Sequence, residues 1–247
     1  MSDTVYNKDF YEDQQDGSLL SAREVWPVVF NYIRPASVID IGCGVGTWLK
    51  ALEERGVTDY LGVDGDYVQP DKLLIEKAKF AAHDLTRFYQ TFRKYDLAIS
   101  LEVGEHLPEA RADDLVKTLT NASDIVLFSA ALPGQTGTYH INEQWPEYWA
   151  AKFLAQGYTA IDFIRKEIWN NSRIPIWYRQ NMILYVRTEL LQLPAYAHLR
   201  ATAERTDAAF LTRIHPELFL YYKKKMDTLS TFEGFARFKL APLKKKK

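Results

Sequence analysis

Four acidic residues and two histidines carry the chemistry written into this chain. Asp40 stands two residues before the first glycine of Gly42-Cys43-Gly44-Val45-Gly46, and Asp64 closes the run Tyr60-Leu61-Gly62-Val63. Asp84 follows Phe80-Ala81-Ala82-His83, and Glu102 follows Leu97-Ala98-Ile99-Ser100-Leu101. Each lies at or just past the end of a strand-like apolar run, the edge at which open α/β sheets bind ligands. The glycines allow a ligand close to the backbone, and Thr47, Trp48 and Leu49 open a helix just behind them. A phosphate cradle needs a following Gly-Lys-Ser/Thr or a longer glycine spacing, and the chain has neither. Asp40 would repel a pyrophosphate and favour a cationic ligand, which argues against NAD. Asp64 stands at the spacing where a carboxylate accepts from two ribose hydroxyls. His106 and His140 titrate near neutral pH and suit removal of a proton from a hydroxyl, and Glu143, three residues on from His140, could orient that imidazole.

These residues need a sheet to hold them. Val38 to Ile41 predicts strand one, residues 60–64 strand two, 80–84 strand three, 95–101 strand four and 125–129 strand five. Helical patterns fall between them, with Leu115, Val116 and Leu119 marking one. Ser21 and Glu24 have capping-box spacing, which predicts a helix that starts there, carries Val25, Trp26, Val28, Val29, Tyr32 and Ile33, and is stopped by Pro35. After a long loop from Ala131 to Trp145, the pattern gives a helix from Pro146 to about Gln156, a strand over 158–163 and a last strand over 181–186. Alternation of this kind predicts right-handed crossovers and helices on both faces of the sheet.

The chain has 247 residues, 47% of them hydrophobic and 26% charged, and a single cysteine. That suits one sizeable α/β domain without a disulfide framework, and a reducing cytoplasm is the expected location. No signal-peptide pattern or membrane-length apolar run is evident. A formal net charge of -1 gives no general attraction to nucleic acid, and the aromatics do not interleave with a basic strip. From Arg213 onward ten Lys/Arg face three Asp/Glu, ending in Lys244, Lys245, Lys246 and Lys247. Such a run reads as a solvated tail, with weak contact to an anionic surface as the alternative. The expected organisation is a tail over 1–17, the α/β domain over 18–187 and a helical, basic extension over 188–247.

Asp40-Ile41-Gly42-Cys43-Gly44-Val45-Gly46 resembles motif I of class I S-adenosylmethionine-dependent methyltransferases, whose cofactor carries an amino group and a sulfonium. The resemblance implies a Rossmann-like seven-stranded sheet in the order 3-2-1-4-5-7-6, with strand seven antiparallel. It places Gly42, Cys43, Gly44, Thr47 and Trp48 around the cofactor, Asp64 on the ribose with Gly65 and Asp66 at the adenosine end, and Asp84 with Leu85 at the adenine. Leu101-Glu102-Val103-Gly104-Glu105-His106 resembles motif IV, which borders the methionine part and the transferring methyl, so Leu101, Glu102 and His106 join the cofactor set.

Residues 133–149 then carry acceptor recognition. A long loop with glycines for movement and Tyr139, His140, Asn142, Glu143 and Trp145 for contacts is the composition of a lid. Its His-x-Asn-Glu-Gln-Trp run resembles a bacterial methyltransferase group often encoded among polysaccharide and sugar-modification functions, which implies O-methylation of a sugar, glycan or other small hydroxylated metabolite. N-methylation of a small amine and a non-catalytic binding module remain as alternatives. Trp145, Trp149, Trp169, Trp177 and Tyr178 are candidates for a stacking wall or for core, and Arg173 and Arg179 for an anionic group on the acceptor or for surface pairing. His106 and His140 are both candidate bases. No dense His/Asp cluster with ligand spacing is visible, so no metal is expected. The oligomeric state is left open.

Overall fold

The structure is a computed structural model that describes residues 8–230, with side chains from residue 17 onward. Seven strands form one sheet: β1 Ser37–Ile41, β2 Asp59–Asp64, β3 Phe80–Ala82, β4 Leu97–Leu101, β5 Ile125–Ser129, β6 Tyr158–Ile161 and β7 Ile183–Arg187. Their order is β3-β2-β1-β4-β5-β7-β6. The first five pair in parallel, while β7 runs antiparallel to both β5 and β6. This is the Rossmann-like architecture expected from the motifs.

Period-two alternation in the strands builds two core layers. Val38, Leu97, Ile99, Leu127 and Leu184 point to one face, where helices α1 (Lys8–Phe30), α2 (Thr47–Glu53), α5 (Ile164–Ile168) and α6 (Ile176–Asn181) supply Trp26, Leu49, Ile164 and Tyr178. Ile39, Ile41, Ala98, Val126 and Phe128 point to the other face, onto α3 (Ala112–Ala122) and α4 (Pro146–Ala155), which supply Leu115, Leu119, Trp149 and Phe153. The central strands are buried from end to end, as their unbroken apolar runs require.

Two local expectations fail for identifiable reasons. Ser21 does not cap a helix, because α1 already begins at Lys8 and runs through it. The buried Ser21 hydroxyl instead donates to the Gly17 carbonyl one turn back, 2.6 Å away, a use of serine inside a helix that leaves the local sequence looking like a cap. Pro35 does not stop the helix, which has ended at Phe30 in a turn where the amides of Tyr32 and Ile33 bond to the Val29 carbonyl. The short helices α5 and α6, between β6 and β7, carry too few residues to show a helical period.

The first compact unit runs to Thr212, beyond the boundary drawn at 187. It includes helix α7 (Ala197–Ala203), whose Leu199 is fully buried in the first core layer. The second unit contains helix α8 (Pro216–Ser230), which has no buried residue, exposes Phe219, Leu220, Tyr221 and Met226, and carries a Lys223 to Asp227 ion pair of 2.6 Å. Lys244, Lys245, Lys246 and Lys247 lie outside the described residues. Among the described residues no helix is long and apolar enough to cross a membrane.

Phe153 anchors the second core layer. It is fully buried, stacks on Tyr185 with ring centroids 3.9 Å apart and meets Phe128 edge-on at 5.4 Å. Phe153→Ala therefore lowers the unfolding free energy by about 3–5 kcal/mol, measured by denaturant titration.

Candidate active site

The carboxyl ends of β1, β2, β4 and β5 meet at one edge of the sheet. Gly42, with φ 88°, turns the chain out of β1, and its amide donates to the Val63 carbonyl at 2.8 Å. A Cβ at Gly42 would lie 2.3 Å from a Val103 methyl, so the turn after β1 and the turn after β4 touch only because this residue has no side chain. Gly44 and Gly46 are also left-handed, at φ 53° and 86°, and Gly46 precedes the first turn of α2.

Asp64 locks this turn to the end of β2. One carboxylate oxygen, Oδ2, accepts from the Gly44 amide at 2.6 Å. The other, Oδ1, accepts from the Gly65 amide at 2.7 Å and from the Tyr67 hydroxyl at 2.5 Å. The Tyr67 ring lies over Gly65, and three quarters of the residue is exposed. Tyr67 was not singled out from the sequence, yet its hydroxyl sits on the oxygen where a ribose hydroxyl is expected. Asp40 lies beside Asp64, and its Oδ2 has no hydrogen-bond partner. Burial first, and then the charge of Asp64, push the Asp40 carboxyl well above its usual range.

The turn after β4 holds the second acidic group. Glu102 has φ 57°, and its amide bonds to the Ser129 carbonyl at the end of β5. Its carboxylate accepts from Gln135 Nε2 at 2.8 Å and from Asn181 Nδ2 at 3.2 Å. Burial raises its pKa, and those hydrogen bonds together with one from Ser129 pull the other way. Glu105, passed over in the sequence, is completely buried, and neither of its carboxylate oxygens takes a well-formed hydrogen bond. Burial and then the charge of Glu102 push it well above the ordinary carboxylate range. Sequence offered one signal for Glu105: it sits three residues after Glu102 and beside His106.

The loop after β5 returns His140 to this place. The Glu105 carbonyl accepts from the amides of Ile141 and Asn142 at 2.9 and 3.0 Å, which ties the loop to the β4 turn. His140 and His106 meet edge to face, ring centroids 4.9 Å apart. His140 Nδ1 bonds to Glu143 Oε1 at 2.9 Å, and Glu143 itself accepts from the amides of Gly134 and Thr136 at 2.8 and 2.9 Å. The His140–Glu143 pair expected from the spacing is therefore formed and clamped by backbone donors. Gly137 packs on the imidazole so closely that a Cβ there would overlap its Nε2. Burial, and next the His140 ring, lower the His106 pKa. One ligand atom from each of Glu105, His106 and His140 lies within 4.8 Å of the other two.

Other residues singled out from the sequence stand apart from this cluster. The Trp48 indole packs between Trp26 and Tyr178 in the core, while the side chains of Cys43 and Leu101 join the same layer. Thr47 is buried at the start of α2, and Asp66 is exposed in the turn after β2. Asp84 is exposed two residues past β3; its Oδ1 accepts from both the amide and the hydroxyl of Thr86, so it serves its own turn, and Leu85 beside it packs on the second core layer. Asn142 is buried and structural, donating to the Gly104 carbonyl and accepting from Gln144. The buried Arg179 donates to the Trp169 carbonyl at 3.2 Å, and Arg173 pairs with Glu24. Trp149 and Tyr178 are core residues and Trp169 is partly buried, whereas Tyr139, Trp145 and Trp177 expose 60, 43 and 42% of their surface, which leaves these three most open to stacking.

This geometry sits on a chain whose residues 22–163 match the family model described as a methyltransferase domain. It belongs to the methyltransferase-domain family. Residues 22–163 are thus a methyltransferase domain. Solved structures of the same fold include a candidate O-methyltransferase from Nostoc punctiforme PCC 73102, at 16% identity over 72% of this chain and 58% of that one, TM-score 0.53. An O-methyltransferase family protein from Burkholderia thailandensis is similar at 13% identity over 74% of this chain and 60% of that one, TM-score 0.52. Among curated proteins, ribosomal RNA large subunit methyltransferase E of Caulobacter sp. (strain K31) is 62% identical over 29 residues, 12% of this chain. The chain spans 13% of the length of that relative.

The unpartnered Asp40 generates a pH test for this methyltransferase. Its folded pKa lies above the unfolded value near 3.8, so the native state holds the proton more tightly and stability falls as pH rises from about 4 toward the folded pKa. Asp40→Asn removes that loss. Its unfolding free energy exceeds wild type at pH 7–8 by on the order of 1 kcal/mol, and the difference narrows below about pH 4, followed by denaturant titration at both pH values.

Proposed function

We propose that this methyltransferase transfers the methyl group to a hydroxyl of a small acceptor, a sugar, glycan or similar hydroxylated metabolite, with His140 as the general base and His106 beside it. The observation that carries the reading is the His140–Glu143 pair, in which a carboxylate fixed by two backbone amides holds an imidazole at the carboxyl end of β4. A hydroxyl needs a base as it attacks the sulfonium methyl, and an imidazole with one nitrogen held by a carboxylate leaves the other free to take that proton. Transfer to an amine would gain less from such a base, because a neutral amine is already nucleophilic.

The cofactor lies along the carboxyl edge of the sheet. Asp64 accepts from the ribose, the Gly42 to Gly46 turn approaches the methionine part, and Asp40 and Glu102 supply the negative potential that favours a sulfonium and an ammonium. Binding the ribose through both Asp64 oxygens requires the exposed Tyr67 to swing off Oδ1. Tyr139, Trp145 and Trp177 give the acceptor apolar faces of the kind that stack on sugar rings. The likeness to the Nostoc and Burkholderia proteins, both described as O-methyltransferases, supports oxygen as the nucleophile; the sugar or glycan class rests on the loop resemblance alone. The acceptor is a small molecule and no nucleic acid is involved, consistent with a net charge of -1. The basic stretch ending at Lys247 contributes weak contact with anionic surfaces and is dispensable for chemistry.

Calorimetry with S-adenosylhomocysteine tests the cofactor site: wild type binds it, and Asp64→Ala weakens binding at least about tenfold, each ribose hydrogen bond to a charged group being worth roughly 1.5–3 kcal/mol. Unchanged affinity in that variant removes Asp64 from the ribose. A mass-spectrometric screen of hydroxylated and amine acceptors tests the chemistry. His140→Ala lowers turnover by about 100-fold or more with S-adenosylhomocysteine affinity nearly unchanged; a methyl found only on amines overturns the oxygen assignment.

A further inference from the structure

We propose that Glu105, His106 and His140 form a binding site for a first-row divalent transition-metal cation. Glu105 supplies the first reason. A carboxylate that is fully buried and takes no well-formed hydrogen bond on either oxygen is costly unless something positive meets it. Its carboxylate neighbour Glu102 accepts from Gln135 and Asn181, and its negative charge raises the cost of ionising Glu105.

The histidines supply the second. Their ligand atoms and that of Glu105 lie within 4.8 Å of one another. Metal–ligand bonds of about 2.0–2.2 Å put ligand atoms about 3–4 Å apart, so small side-chain rotations close the set. Each imidazole also has one nitrogen already engaged: His140 Nδ1 by Glu143, and His106 by the Tyr139 backbone. Metal-ligating histidines are held in this way, one ring N–H given to a carboxylate or a carbonyl so that the other nitrogen keeps its lone pair for the ion. Two imidazoles with one carboxylate favour Mn²⁺, Fe²⁺, Co²⁺ or Zn²⁺ over Mg²⁺ or Ca²⁺, which prefer all-oxygen sites. Three protein ligands leave coordination positions for an oxygen ligand. That this ligand is the acceptor hydroxyl rests on the proposed transfer to oxygen, whereas the site itself does not; with an ion bound, His140 serves as a ligand and the ion, in place of the free imidazole, would ease loss of the hydroxyl proton.

The full chain, freed of metal with EDTA and dialysed, is titrated with CoCl₂, MnCl₂ and MgCl₂ by calorimetry, with thermal unfolding and the visible spectrum of Co²⁺ as further readouts. One Co²⁺ or Mn²⁺ binds per chain, more tightly than Mg²⁺, and raises Tm. Glu105→Gln and the double variant His106→Ala/His140→Ala each lose at least about tenfold in affinity and most of the Tm shift, and Glu143→Gln weakens binding by about tenfold through loss of imidazole orientation. Glu105→Gln also removes a buried charge, so without metal it melts at or above wild type, which separates lost binding from lost folding. Absence of stoichiometric binding, or binding unchanged in both Glu105→Gln and the double variant, overturns the site. S-adenosylhomocysteine binding that survives EDTA while turnover is lost supports the acceptor role, and full turnover in EDTA overturns that role.

Discussion

The carboxylate of Asp64 is the interaction on which the site depends. It accepts from the Gly44 amide on one side and the Gly65 amide on the other, and so fixes the turn after β1 against the turn after β2. Charge-assisted bonds of this kind are roughly twice as strong as neutral ones, and both donors here are backbone, which cannot rotate away. The same carboxylate raises the pKa of Asp40 and bears on His106. Glycine turn, buried acid and histidine are thus parts of one electrostatic object.

That object is built at a cost. Asp40, Glu102 and Glu105 are each pushed toward the neutral form by burial, all at the carboxyl ends of the strands. A fold selected for stability alone would place apolar residues there, since a buried carboxylate without a partner destabilises the native state. Groups that gain only when something cationic binds are a reason to retain such a cost, and both the sulfonium cofactor and the proposed metal ion are cationic.

His140 is held differently, by a loop. Residues between β5 and α4 have backbone left-handed at Thr136 and Tyr139, and they are tied down by the Glu105 carbonyl and the Glu143 carboxylate. The same loop exposes the side chains of Tyr139, Ile141 and Trp145, none of which bonds to the histidine that it delivers.

Period-two apolar runs, the Gly42 to Gly46 spacing and acids at the strand ends are local properties, so residue order alone determined the strands, the cofactor turn and the His140 to Glu143 pairing. Sheet order came from resemblance, because hydrogen-bonded neighbours are chosen by packing of whole layers and no strand encodes its partner. Ser21 and Asp84 show the limits of local reading. A serine inside a helix and a serine at its start share the same neighbours in sequence, and an aspartate in its own turn resembles one aimed at a ligand. Likewise Trp48 and Trp149, legible as aromatic, went to the core because burial follows from the direction of a side chain relative to the sheet. Glu105 and the meeting of His106 with His140 were decided by tertiary structure alone. These contacts join the turn after β4 to a loop more than thirty residues further on, and only the assembled sheet brings those two segments to one edge.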